Sequence, residues 1–214
     1  MKKFRLFSAL VATAALGACA STTPTTSGGP VVPTTTNIGG QATHVGSVYS
    51  ATQAGTLTAI AGGASLLNGQ PFWFNSATNT YISGYESTNA LALAGFNAGT
   101  PIQGLTGTLT TAALTGTATY LGRYAYNNNT TGSSGSGALT PTANFGAGTI
   151  TGSAGTAMSV NANITPGAGN QFTGNVIFSI AGSKPLQGGF FGTNELVGTF
   201  GDATVAGVIY GTTP

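Results

Sequence analysis

From residue 117 to its end the chain alternates apolar and polar side chains with a period of two, in short runs separated by turn residues. Met158, Val160, Ala162 and Ile164 alternate with Ser159, Asn161, Asn163 and Thr165. Phe172, Val176, Phe178 and Ile180 share a face with Gly174, opposite Gln171, Thr173 and Asn175. A period of two with one apolar face places each run as a strand between a core and water. Eight runs can be drawn: 120–126, 138–145, 148–152, 157–165, 171–180, 186–192, 195–200 and 204–210. Their connections, such as 166–169, 181–185, 193–194 and 201–203, are short, so neighbours must be antiparallel in an up-and-down order. Eight such strands suit a closed barrel filled by its own side chains, and closure removes exposed edges. Gly122, Gly174, Gly188, Gly198 and Gly207 would let so small a barrel bend and coil.

Composition points the same way. Charged residues make up 4% of the chain, against roughly 25% in typical domains, so the straight-chain charged helix formers are scarce. Gly, Thr, Ala, Ser and Asn take their place, and hydroxyls and amides supply the polar surface. The expected fold is all-β: an eight-stranded antiparallel up-and-down barrel over 117–214, preceded by an irregular β-rich handle subdomain over 44–116. In that handle, Phe72-Trp73-Phe74 and Thr80-Tyr81-Ile82 read as a hairpin with a five-residue loop, 75–79. Weaker strand signals interrupted by glycine lie at 91–96 and 105–114.

The N-terminus carries a different message. Lys2, Lys3 and Arg5 precede an uncharged, mostly apolar run of about eleven residues, whereas a spanning helix needs roughly 20. This reads as a secretory signal, to be excluded from the fold. It ends in Leu16-Gly17-Ala18-Cys19, which resembles the lipobox of bacterial lipoproteins. The resemblance implies removal of residues 1–18 and lipid attachment at Cys19, with the membrane as partner. Ala20, rather than Asp, follows the cysteine, and by the same resemblance this leans toward the outer membrane. Cys19 is the single cysteine, so no intrachain disulfide can form. A cleaved soluble secretory protein with an incidental cysteine is the alternative. Residues 19–43 are rich in Ser, Thr, Pro and Gly and read as a flexible tether.

Removing the signal leaves Arg123 and Lys184 as cations against Glu86, Glu195 and Asp202. Two separated cations cannot track a phosphate backbone, so nucleic acid is not an expected partner. One histidine, His44, and three scattered carboxylates do not make a nucleophile, base and orienter, so no catalytic residue is assigned. Glu195 and Asp202 could meet across a hairpin, but solvated loop positions are the simpler reading. No metal site has enough ligands at a recognisable spacing, and no cofactor is expected. Trp73, Tyr81 and Tyr85, with Phe72 and Phe74, suit either a recognition surface or the handle's small core, the latter being favoured. Arg123 is expected outward and solvated. Residues 127–137 read as a long polar loop, for contact or for linkage.

The run from Gln187-Gly188-Gly189-Phe190-Phe191-Gly192 through Thr193-Asn194-Glu195-Leu196 to Val197-Gly198-Thr199-Phe200 resembles the ending of the barrel domain of transferrin-binding protein B and its relatives. Val205-Ala206-Gly207-Val208-Ile209-Tyr210-Gly211 is similar to that family's closing strand, and 143–152 and 172–174 to earlier ones. Thr193 stands where the family usually has proline. The resemblance implies a surface lipoprotein of the outer membrane that captures a host protein or a haem- or iron-containing ligand, beside an outer-membrane receptor or translocator. Since some relatives bind haem and one axial histidine can suffice, it makes His44 a haem-ligand candidate. Two other classes stay open: a structural or adhesive envelope lipoprotein, and an integral outer-membrane β-barrel. The last shows the same alternation, but most runs here are shorter than the roughly 9–11 residues of a spanning strand.

Overall fold

Small polar, β-branched and aromatic runs broken by glycine-containing turns fold as strands, and all regular structure among the described residues is β. The computed structural model describes residues 35–60, 65–66, 72–77, 79–165 and 169–214, with backbone alone for 65–66 and 72–77. The expected signal segment, Cys19 and the first part of the expected tether lie outside the described residues.

A nine-stranded sheet comes first. Its strands are β1 (Thr35–Ile38), β2 (Ala42–Val45), β3 (Val48–Gln53), β4 (Thr56–Ala59), β5 (Ser65–Leu66), β6 (Phe72–Ala77), β7 (Thr80–Glu86), β8 (Ala90–Asn97) and β9 (Thr100–Thr108). Their order is β2-β3-β9-β8-β7-β6-β5, with β1 also on β9 and β4 on β3. This sheet is the expected β-rich handle. The chain also enters the sheet before residue 43, because Thr35 to Ile38 pair with Thr108 to Leu105. Ile38 and Ala42, 6% and 2% exposed, give this threonine-rich stretch the apolar burial that its composition understates. The hairpin at 72–82 is present, but its register continues to Ala77 opposite Thr80. Only two residues remain for the turn, and Asn79 closes it at φ +62°.

The second sheet comprises β10 (Thr117–Thr119), β11 (Leu121–Asn128), β12 (Ser133–Asn144), β13 (Thr149–Ala154), β14 (Met158–Ile164), β15 (Gln171–Phe178), β16 (Gly182–Phe191), β17 (Glu195–Gly201) and β18 (Val205–Thr212). Strands β11 to β18 each pair with their chain neighbours, and β11 pairs with β18 from Leu121↔Thr212 to Asn128↔Val205. This is the expected closed eight-stranded antiparallel barrel, with β10 added along β12.

The barrel is filled, and glycine makes the filling possible. Tyr120, Tyr124, Phe172, Phe178, Phe190 and Phe200 belong to its interior cluster. A Cβ on Gly137 would meet the Tyr124 ring at 2.7 Å, and one on Gly135 the Tyr126 ring at 2.6 Å. One on Gly188 would meet Phe172 at 2.3 Å, and one on Gly207 Phe200 at 2.6 Å. In-strand glycines thus form recesses for rings from adjacent strands, beyond the bending expected of them. The same device overturns the loop reading of 127–137: β11 runs to Asn128, β12 starts at Ser133, and serines alternate with the two inward glycines. Ile180, expected on the apolar face of its strand, sits in the β15–β16 turn and is 86% exposed.

The outward faces of β12 to β15 carry Thr140, Thr151, Ser153, Asn161, Asn163, Thr173 and Asn175 in exposed positions. The outward faces of β11, β17 and β18 are instead largely covered, with mostly apolar buried side chains and the polar Asn127 and Thr199 among them. Ala125, Val197, Ala206 and Val208 share a core with Ile38, Tyr85, Ala92 and Phe96 of the first sheet. A spanning barrel presents an apolar outer band. Apart from Leu121 and Ile177, 56% and 43% exposed, the large apolar side chains of these strands fill the inside or lie under the first sheet, and the open wall is polar, which argues against the integral-barrel alternative.

Candidate functional site

The densest group of titratable side chains lies where β2 and β3 meet the end of β7. His44 and Tyr49 are register partners across the β2–β3 hairpin, so their rings stack, with centroids 3.9 Å apart and planes 13° from parallel. Glu86, the last residue of β7, receives both: His44 Nδ1 lies 2.7 Å from Oε1, and the Tyr49 hydroxyl donates to Oε2 at 2.6 Å. An ionised carboxylate can only accept, so the imidazole proton sits on Nδ1 and Nε2 points away from the pair. The side chains of His44 and Glu86 are 30% and 35% exposed, so water reaches the cluster. Burial, reinforced by the hydrogen bond to Glu86 and its charge, pushes the Tyr49 phenol well above its ordinary pKa. It therefore remains a protonated donor. A carboxylate that fixes one imidazole nitrogen is the arrangement that orients histidine ligands toward metals. The described geometry offers one nitrogen donor with its carboxylate already engaged, too few ligands for a chelating site.

His44 is thus a strand residue held at both ring nitrogen and ring face. The other residues singled out from sequence are dispersed. Tyr85 is 1% exposed and stacks on Tyr210 at 4.0 Å between the first sheet and the barrel, which is a packing role. Tyr81 is half-buried in β7, near the β11–β12 turn at Gly132. The Trp73 backbone pairs with Gly84 and Leu66, and its side chain lies outside the described residues. Cys19 lies outside them too. Glu195 and Asp202 occupy opposite ends of β17 and never meet. Glu195 accepts from Ser87 Oγ at 2.8 Å and Asn89 Nδ2 at 3.3 Å, on the β7–β8 turn. Asp202 instead holds Lys184, whose ammonium lies 2.7 Å from Oδ2. Lys184 was expected in a connection, yet β16 begins at Gly182 and turns it into the barrel, where it is 6% exposed. Arg123 faces outward as expected but is not freely solvated, since its Nε is buried and donates to no protein atom.

The partners that sequence reasoning missed are Tyr49 and Glu86. Tyr49 sits in hairpin register with His44, a short-range signal that a correctly placed β2–β3 turn would have shown. Glu86 is 42 residues from His44, and nothing local announces it.

No protein-family model matches the chain, and no curated protein sequence matches it significantly. Solved structures do resemble it. One is transferrin-binding protein B from Haemophilus parasuis, at 18% identity and a TM-score of 0.46, matching 78% of this chain and 40% of that one. Another is the haemoglobin receptor HpuA from Kingella denitrificans, at 15% identity and a TM-score of 0.49, matching 85% of this chain and 84% of that one. A third is transferrin-binding protein B from serogroup B Neisseria meningitidis, at 22% identity and a TM-score of 0.45, covering 67% and 35%. This chain thus spans well under half the length of the two transferrin-binding structures.

Proposed function

We propose that this chain is a lipid-anchored binding lipoprotein of the outer-membrane surface, of the transferrin-binding protein B-like type, acting without catalysis. Cys19 carries the lipid, the segment after it tethers the body, and the body meets a host protein or a haem- or iron-containing ligand. An outer-membrane receptor or translocator is the natural neighbour of such a protein. One observation carries the reading: a ring-filled interior and an uncharged polar outer wall describe a body bathed in water, with no conducting lumen and no lipid-facing band. A membrane would hold such a body only through an anchor, and the lipobox-like Leu16-Gly17-Ala18-Cys19 offers one. Each carboxylate is committed to a hydrogen-bond partner, which supports binding over chemistry.

The test has two parts. Cys19→Ser should release the protein from membranes in a carbonate wash, whereas retention would restore the integral-barrel reading. A pull-down from host serum, with a parallel haem titration, should then recover a ligand. A Soret change abolished by His44→Ala would place haem at the His44 nitrogen. If neither haem nor a serum protein binds, the chain is a structural or adhesive envelope lipoprotein and the binding proposal fails.

A further inference from the structure

A cavity of about 390 Å³ opens at the seam between the first sheet and the barrel, away from the His44 cluster. Gln103 of β9 lines one side, and Thr173 and Gly174 of β15 with Pro185, Leu186 and Gln187 of β16 line the other. Its size lies within the range of small-ligand sites, and a seam between two packed sheets is a common place for one.

Its wall contains neither charge nor aromatic ring, yet it is rich in groups that both give and accept hydrogen bonds. Gln103 Nε2 donates to Thr199 Oγ1 at 2.8 Å, which fixes the amide plane and leaves Oε1 without a protein partner among the described residues. Thr173 and Gln187 are register partners on adjacent strands, so their side chains lie side by side, and neither makes a side-chain hydrogen bond to described protein atoms. Gly39 at φ +66° leaves room for this amide: a Cβ there would come within 1.7 Å of Gln187 Nε2. The seam therefore holds the Gln103 amide oxygen, the Gln187 amide and the Thr173 hydroxyl without partners among the described residues, beside the saturated pyrrolidine ring of Pro185.

The same chemistry continues outward in register. Thr149, Asn163, Thr173 and Gln187 follow one another across β13 to β16, and Thr151, Asn161, Asn175 and Pro185 form the adjacent row. Neighbouring strands lie about 4.8 Å apart, so the first row is a regular ladder of hydroxyls and amides leading to the cavity, and the second is one as far as Pro185 at the cavity wall. A charged ligand would lose its hydration here with no counter-charge in return. A flat aromatic would leave the amides unpaired. A ligand with many hydroxyls and no charge satisfies donors and acceptors together.

We propose that this cavity and its ladder bind a neutral saccharide, one sugar unit in the cavity and further units along the strands. The sugar can come as a free oligosaccharide or as the neutral glycan of a glycoprotein. Neither the anchoring nor the haem reading is needed for it.

The experiment titrates the full chain in detergent micelles with maltotetraose, chitotetraose and mannotetraose, using sialyllactose as the charged comparator, by calorimetry. At least one neutral tetrasaccharide should bind, and sialyllactose should not. Gln187→Ala and the near-isosteric Thr173→Val should each weaken that binding about tenfold, the loss of roughly one hydrogen-bonding group, with the melting temperature unchanged. Retention of a glycoprotein carrying the preferred sugar, lost after enzymatic removal of its neutral glycan, would assign the conjugated source. Binding of the tetrasaccharide without such retention would assign the free one. Absence of binding by all three neutral sugars, or binding that both substitutions leave intact, overturns the proposal.

Discussion

Lys184 lies inside the barrel, 6% exposed, beside its register partner Val176 and on the face of β16 that carries Leu186. It is held by Asp202 at 2.7 Å and Thr204 Oγ1 at 2.9 Å, while Asp202 also accepts from the Thr204 and Val205 amides. Burial alone would raise the Asp202 pKa, but these hydrogen bonds, led by that from Lys184, outweigh it and hold the carboxyl well below the usual range. A carboxylate depressed in the folded state contributes stability that is complete above the unfolded value, about 3.9, and drains away as pH falls below it. Melting temperature should therefore decline through that acid range, and Asp202→Asn should flatten the decline. The same substitution leaves a buried ammonium short of its counter-charge and should cost roughly 2 kcal/mol at neutral pH. That is less than for a fully enclosed pair, because water reaches the carboxylate. Lys184→Met, which replaces the cation with an apolar chain of similar length, should stay within about 1 kcal/mol of the parent in urea unfolding. A Lys184→Met loss as large as that of Asp202→Asn would show that the pair adds net stability rather than merely completing itself.

At the scale of strands and turns, two kinds of glycine position decide what the chain tolerates. Gly188 lies inside the barrel, where a Cβ would strike Phe172 at 2.3 Å and the Val197 carbonyl at 2.4 Å. Gly188→Ala should cost about 2 to 3 kcal/mol of unfolding free energy by overpacking, while Asn161→Thr on the open wall should change it by less than about 0.5. Turns offer the converse. Ala98-Gly99 joins β8 to β9 with φ of 49° and 78°, a two-residue turn that needs the left-handed region at both positions. Alanine is strained there and asparagine is not, so Ala98→Asn should raise stability by about 0.5 to 1 kcal/mol, read as a higher denaturation midpoint. Both effects bear on what the sequence disclosed. The barrel was legible because Val, Ile and Phe alternate with Asn, Thr and Ser in β14 and β15, a period that survives any neighbour. The first sheet was not, because glycine and alanine at Gly95, Gly104, Ala92 and Ala94 leave no such contrast, and its pattern depends on burial from both sides. Ser133 to Gly137 was misread for the same reason: its inward side chains are hydrogen atoms, and the rings that fill them belong to β11. Of the candidate site, His44 was legible as the lone histidine, while its carboxylate became its partner only through the sheet's long-range pairing.

For the molecule as a whole, the question is whether barrel and first sheet can exist apart. The described residues cluster as one compact unit, and the strongest contacts between the sheets are side-chain packing rather than shared ladders. Phe191, Val197 and Val208, each 0% exposed, are covered by Phe96, Ala92 and Tyr85, and Tyr85 stacks on Tyr210 across the boundary. Asn127 adds a buried hydrogen bond to Ser83 Oγ at 2.7 Å. A barrel cut free at residue 117 keeps every strand pairing needed for closure but uncovers this apolar face on β11, β17 and β18. Contiguous apolar patches of a few hundred Å² drive association, and the open wall has almost no charge to oppose it. Residues 117–214 expressed alone should therefore self-associate and bind a hydrophobic dye. Residues 35–214 should stay monomeric and unfold in one transition with coincident near- and far-ultraviolet signals. Val208→Asp, placed under Phe96 and Tyr85, should lower the melting temperature of the longer chain sharply. In the isolated barrel the same change should instead improve solubility, because there the position faces water. That reversal of sign between two lengths of one sequence is what a shared core demands, and equal effects in both would mean that the first sheet does not cover Val208.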